Sequence, residues 1–515
     1  MKKGFTLIEL LAVILILGII ALIAIPTVNN ILKESRRGAF QSTLTNLEKA
    51  IEEKCTTEQI KNQEITTMYT IEGGVITPSL DIKGSLPDGT IYVNKNCEVS
   101  YTLADNNFTG TKEVGEEVII VDKGSSGIYT ESTLNGADPV LSTNLIPVTI
   151  ADDGTVTKAD LTTKWYSYKD KKWANAVILS PTGKVEDNGT ILEESIESYF
   201  VWIPRYKYKL FNLGNYASVI NEDSPSNGVK TIDIVFESKD TPISVGTEVG
   251  EYHSHPAFQA FDSNGFWMGK FETTGSTSDI TIKPNLIPIR DKKVSIIFEL
   301  AYNYKRDNNS HMMKNTEWGA AAYLSASKYG INRKINLNNK SITTTGYSSV
   351  VDVIDLNFTG HYGYLDTETQ PYNTSVGYKA STTGNITGVY DMNGGSEEYV
   401  AGYIEGKLGS SGFTEDPINI YGSKYFDVYS SDASANRFDT RILGDATGEL
   451  GPFYYYNNRY INNWWYDNSN YVESGYPWFI RSGGYLGSIY GGQFYFARHN
   501  GMNLAAVGFR MVLTN

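Results

Sequence analysis

The 515-residue chain is nearly free of cysteine: only Cys55 and Cys97 occur, both before residue 98. From 98 to 515 there is thus no thiolate nucleophile and no soft metal site built on sulfur. Positive charge is also short, since 44 Lys and Arg face 58 Asp and Glu for a net charge of −14. That balance argues against nucleic acid as a main partner, because phosphate binding is driven by Lys and Arg. A local basic patch such as "RYKYK" at 205–209 could evade the objection. Histidine is scarce, with five residues in the whole chain. No Gly-rich phosphate loop follows a clear strand, and no nucleophile elbow is visible. The rest of the composition is ordinary for a globular protein, at 41% hydrophobic and 20% charged. The length exceeds one compact domain, so two or three are expected. In an exported protein the two cysteines read as one disulfide; the other reading is two unrelated buried thiols.

One long apolar run is present. The chain opens "MKKGFTLIELLAVILILGIIALIAIP", and Phe5 to Ile25 would span about 30 Å as a helix, enough to cross a bilayer. Lys2 and Lys3 would hold the N-terminus in the cytoplasm, although Lys33, Arg36 and Arg37 weaken the charge asymmetry. No small-residue cleavage site follows Ile25, so the run reads as retained. Val28, Ile31, Leu32, Ala39, Phe40, Leu44, Leu47 and Ile51 continue it at helical steps, with a kink expected at Pro26.

Gly4-Phe5-Thr6-Leu7-Ile8-Glu9 after two lysines resembles the leader of type IV pilins and pseudopilins. The resemblance implies that a prepilin peptidase cuts between Gly4 and Phe5 and methylates the new amino group. Glu9 becomes the fifth residue of the mature chain. A lone carboxylate in lipid costs a few kcal/mol. Pairing of Glu9 with the N-terminus of Phe5 on a neighbouring pilin subunit would turn that cost into a drive toward filament assembly. The alternative is a single-pass anchor with Glu9 near the headgroups. Insertion in the bacterial cytoplasmic membrane, then display at the cell surface or on a pilus, follows from the resemblance.

The expected fold class is α+β and multidomain. A leader at 1–4 precedes a transmembrane and amphipathic helix at 5–55. Residues 56–123, with "PDGT" between alternating "TIYVN" and "EVSYTL", read as a small antiparallel β head stapled to the helix by Cys55 and Cys97. The polar stretch 124–140 reads as a linker. Residues 141–195, with a hairpin about Asp152-Asp153-Gly154, read as a connecting β module.

Past 196 the texture changes. "GFWMGKFETTG", "NSHMMKNTEWGAAAYLSASKYG", "GVYDMNGGSEEYVAGY" and "PWFIRSGG" through "AAVGFRMVL" follow in that order. The second reads as a helix capped by Asn315 or Thr316 and stopped by Gly330, with Trp318, Ala322 and Tyr329 on one face. In this order the motifs resemble the formylglycine-generating-enzyme family, a variant of the C-type lectin fold, over 196–515. The catalytic cysteines of that family are missing here. At its "GNxWEW" motif the chain reads "GGSEEY", so Gly395 replaces a ligating Asn and Glu398 alone keeps the acidic position. No catalysis, metal or cofactor is therefore expected. His253 and His255 stand two apart, but no third ligand can be assigned.

The positive signal is aromatic. In "FYYYNNRYINNWWYDNSNY" at 453–471, 14 of 19 residues are Tyr, Asn or Trp, a bias of binding loops. Tyr455, Tyr460, Trp464, Trp465, Tyr485, Tyr490, Arg498 and Asn500 are the candidate ligand face; the alternative is that individual aromatics are core. Ligand-binding proteins diversified by retroelements resemble this layout, with variable positions just before a "GFR" strand, here Gly508-Phe509-Arg510. The expected function is a minor pilin carrying an adhesin-like domain for an extracellular protein or glycan. A pseudopilin of a secretion or DNA-uptake system, or an enzyme related to formylglycine-generating enzymes, are the alternatives.

Overall fold

The computed structural model describes residues 36–82, 84, 86–105, 108–115, 118–122, 129–142, 144–214, 231–340, 343–350, 368–456, 459–485 and 490–514. The chain divides into two compact units, Met1–Gly127 and Ile128–Asn515. Both are mostly sheet, with few helices.

In the first unit a helix over 36–60 lies on a six-stranded sheet. Phe40, Leu44, Leu47 and Ile51 recur at helical spacing and form one buried stripe. They meet Tyr69, Ile71, Ile91, Val99, Tyr101 and Leu103, the inward alternates of their strands. Strands Met68–Glu72, Asp88–Val93, Val99–Ala104, Phe108–Lys112 and Ile119–Asp122 pair antiparallel in that order, with Val75–Thr77 on the edge beside Met68–Glu72. Gly110 is where the helix comes closest: a Cβ there would sit 2.4 Å from Leu44 Cδ1. Cys55 near the helix end is bonded to Cys97, 42 residues on, so one bridge ties helix to sheet. The part of the expected 5–55 helix before residue 36 lies outside the described residues.

The second unit is built on an eight-stranded sheet. Its order is Thr190–Ile191, Val156–Lys158, Ile146–Ile150, Asn175–Leu179, Ile196–Pro204, Gly265–Gly269, Met511–Leu513, His311–Met312. The strands of 146–191, expected to stand as a module of their own, thus share a sheet with the start and end of the C-terminal region. Ile196–Pro204 pairs with Asn175–Leu179 on one side and Gly265–Gly269 on the other, and eight of its nine residues are buried. A second sheet orders Asp427–Tyr429, Glu397–Ile404, Trp478–Arg481 and Phe496–His499, with Val507–Phe509 parallel to Glu397–Tyr399.

The helix expected near 315 runs Asn315–Ser325, and every residue in it is buried. The N–H of Lys314 is held by Glu317 Oε2 at 2.8 Å, so Lys314 rather than Asn315 or Thr316 is the cap position. Asn315 and Thr316 are drawn instead into tertiary bonds, to Tyr429 and to Asp427. The helix ends at Ser325, ahead of Gly330, so Tyr329 lies beyond it. Gly319 is obligatory, because a Cβ would meet Gly444 O at 2.0 Å.

One buried cation joins the two sheets. Arg510, between Val507–Phe509 and Met511–Leu513, donates to both oxygens of Glu398, at 3.1 and 2.6 Å. It also donates to Gly269 O and Tyr390 O at 2.9 and 3.0 Å. Glu272 and Asp391 stand nearby. Burial pushes the Glu272 carboxyl well above its ordinary range and pushes Asp391 up to about 6. Truncation of Arg510 to Ala would strand Glu398 in the interior. Its expected cost is about 3–5 kcal/mol, read as a fall in the urea midpoint of the near-UV circular dichroism.

Burial also pushes Glu449 up to about 7, although Tyr208, Tyr323 and the Gly444 N–H donate to it. In the folded chain Asp391 and Glu449 keep protons that an unfolded chain releases between about pH 4 and 7. The stability they contribute is present at low pH and is lost as pH rises through that window. The urea midpoint of Glu449→Gln should fall less between pH 4.5 and 7.5 than that of the parent.

Candidate ligand-binding face

The aromatic stretch at 453–471 opens as a hairpin, Tyr454–Tyr456 against Arg459–Ile461. Strand alternation sorts its side chains. Tyr455 and Tyr460 are cross-strand partners with rings 5.1 Å apart. Tyr455 is 49% exposed and Tyr460 is half-buried. On the reverse face Tyr454 and Ile461 are buried against Tyr490. Exposed Arg459 reaches over the Tyr490 ring, 5.1 Å from its centroid.

After the hairpin the chain turns inward. Asn462 Oδ1 accepts the N–H groups of Trp464 and Trp465 at 3.0 and 3.2 Å. Trp464 packs on Phe211 and Phe494, and Trp465 stacks on Phe494 at 5.0 Å. Below them Lys334 Nζ donates to Trp465 O and Asp467 Oδ1 at 3.0 and 2.6 Å, a buried ion pair. Trp464, Trp465 and Tyr490 are 5%, 8% and 4% exposed, so they support the face rather than form it. This corrects their reading as surface anchors: each indole finds an aromatic partner inside, and burying that area is more favourable than solvating it.

The remaining candidates fall into two groups. Half-buried Tyr485 donates its N–H to Gly395 O at 2.8 Å. Beside it Glu397 Oε1 accepts from Tyr495 Oη at 2.8 Å, and Gly484, at φ +65°, lets the chain pass against the Glu397 side chain. Burial raises the Glu397 carboxyl above its ordinary range. Arg459 acts electrostatically on the Tyr495 phenol, which links this carboxylate to the hairpin. Arg498 and Asn500 lie elsewhere. Strand Phe496–His499 carries them about 10 Å beyond Tyr495. There Arg498 pairs with Glu473 at 3.0 Å and donates to Tyr471 O. Asn500 Oδ1 accepts the Met502 N–H. One face made of all eight residues is therefore not formed. Tyr455 and Tyr460 share one face of the hairpin, Arg459 lies on the other with Tyr490, and Tyr485 stands next to Gly484 where that residue packs against Glu397. Arg459 and Glu397 are two residues that the sequence reading passed over. Their signal was available in part: Arg459 is the only cation in the 453–471 stretch.

The other chemistry weighed in the sequence is accounted for locally. His255 is buried, with Nε2 on Gly444 O at 2.9 Å and Nδ1 accepting the Ala257 N–H. His253 Nδ1 contacts Gly246 O at 3.2 Å. His311 pairs with Glu317 at 2.9 Å, and His499 Nδ1 with Tyr399 Oη at 2.7 Å. Among the described residues no group of three or more His, Cys, Asp or Glu could hold a metal ion. Gly395 is glycine for a steric reason, since a Cβ would lie 2.7 Å from Glu272 Oε1.

Gly4, Phe5 and Glu9 lie outside the described residues. Residues 1–25 match the prokaryotic N-terminal methylation motif. This match supports a type IV pilin-like leader, a motif that goes generally with prepilin-peptidase processing and pilin-type assembly and points to membrane insertion followed by surface display. Among the described residues no helix is long and apolar enough to cross a membrane; the apolar run of 5–25 is not among them. No curated protein matches the chain.

Mass spectrometry of the mature protein should find methylated Phe5 at the N-terminus, and intact Met1 would contradict the leader. Trp464→Ala should cost about 3–5 kcal/mol in unfolding free energy, whereas Tyr455→Ala should stay within about 0.5 kcal/mol of the parent.

Proposed function

We propose that the chain is a minor type IV pilin, or a pilin-like protein, whose second unit is a non-catalytic C-type lectin-like domain that binds an extracellular protein or glycan. The observation that carries this reading is the hairpin: exposed Tyr455 is paired with half-buried Tyr460, while Tyr454, Ile461 and Tyr490 back the reverse face. A rigid platform loses little entropy when it binds, and tyrosine offers large contact area with a polar tip. Arg459 adds a cation on the hairpin's other face. The lectin-like assignment draws support from the order of the sequence motifs and from the entry of the last strand, Met511–Leu513, beside Gly265–Gly269. The non-catalytic reading draws support from the titratable side chains just described, whose partners are structural. Nucleic acid is not a partner in this reading, and no cofactor is required.

The test is a glycan and surface-protein binding screen with the mature chain. Any ligand found is then titrated against Tyr455→Ala combined with Tyr460→Ala. A loss of about thirtyfold in affinity, equal to roughly 2 kcal/mol, is expected at unchanged melting temperature. Unchanged affinity in the double variant would remove the hairpin from the binding role.

A further inference from the structure

A second feature of the Ile128–Asn515 unit stands apart from the hairpin. A cleft of about 370 Å³ opens between strand Ile146–Ile150, the loop of 164–173 and the loop of 385–387. That volume lies within the range of small-ligand sites, about 300–1,000 Å³. Its floor is apolar and buried: Val148, Ile150, Trp173 and Ile386. Trp165 forms part of its lining and is 8% exposed, yet its indole N–H has no hydrogen-bond partner among the described residues. A buried donor left unpaired is destabilising, and an oxygen brought in by a ligand would relieve it.

The rim is polar and held in place. Asp170 accepts from Lys164 Nζ at 2.7 Å and from Ser167 Oγ at 2.9 Å. Those hydrogen bonds, the lysine's first, keep its carboxyl below the usual range and so ionised. Exposed Asp152 and Lys172 complete the rim. Two carboxylates and two ammonium groups cancel, so the mouth gives no net pull on either an anion or a cation. Asn385 and Thr387 are locked to each other and to Lys171 O, which fixes the far wall.

We propose that this cleft is a binding site for a neutral saccharide, one sugar ring in size. A sugar presents an apolar C–H face to such a floor. Its hydroxyls both donate and accept, which matches a rim carrying ionised acceptors, ammonium donors and one indole donor. A charged ligand would gain nothing from the balanced rim, and a purely apolar one would leave the indole N–H unpaired.

The test uses the full chain in a phosphocholine detergent, which contributes no sugar. Equilibrium dialysis with glucose, galactose, mannose and N-acetylglucosamine measures binding. At least one should bind with a Kd under roughly 10 mM, a weak affinity for so small a ligand. Trp165→Phe keeps the ring and removes the N–H, and should weaken that sugar about tenfold or more. Should Trp165→Phe fail to fold, Lys172→Ala and Asp152→Ala alter only exposed rim groups, and one or both should weaken binding at unchanged melting temperature. Tyr455→Ala should leave this binding intact, which separates the site from the hairpin. No binding of any of the four sugars, or equal binding by the folded cleft variants, would overturn the proposal.

Discussion

The second unit depends on one buried charge. Arg510 brings a guanidinium into an interior that cannot solvate it, and Glu398 answers with both oxygens. The guanidinium also reaches Gly269 O, at the end of an inner strand of the larger sheet, and Tyr390 O in the loop before Glu397–Ile404. Desolvating such a pair is expensive, and only near-complete satisfaction of its hydrogen bonds offsets the cost. The position of three chain segments is thereby fixed by one side chain. Burial raises the neighbouring Glu272 carboxyl well above its ordinary range, which favours its neutral form beside the pair. The absence of a side chain at 395 belongs to the same constraint, because the Glu272 carboxyl fills the space that one would need.

The first unit was legible in the sequence because its signals are periodic. A 3.6-residue stripe predicts a helix that buries Phe40, Leu44, Leu47 and Ile51. A two-residue alternation predicts strands that bury Val99, Tyr101 and Leu103. The bridge between Cys55 and Cys97 was one of two readings, and the structure has it. The second unit was harder. Ile196–Pro204 is buried on both faces, so it carries no alternation. The strands of 146–191 join the sheet through nearby Ile196–Pro204, and the non-local fact is that strand's continuation to Gly265–Gly269 and then to Met511–Leu513, which no window of sequence contains. The helix Asn315–Ser325 was visible, but its cap was not, since Asn315 and Thr316 are claimed by Tyr429 and Asp427 from distant segments.

The candidate face was marked by composition and not by geometry. Aromatic and amide density marked 453–471 correctly as unusual. Density alone does not say which side of a hairpin each ring takes. Asn462 turns Trp464 and Trp465 inward, where Phe211 and Phe494 wait, and Phe211 comes from a segment far back in the chain. The same residue types thus serve two ends. Tyr454, Tyr490 and both tryptophans make the support rigid, and Tyr455 and Tyr460 are what the support presents.

A pilin-type leader and a rigid aromatic platform together describe a protein built to show one surface outside the cell. Hydroxyl-radical footprinting of intact cells displaying the mature chain addresses both halves at once. Tyr455 and Tyr460 should be oxidised rapidly while Trp464, Trp465 and Tyr490 remain protected. Labelling of the two tryptophans at the rate of Tyr455, or no labelling of the hairpin until the cells are lysed, would contradict this arrangement.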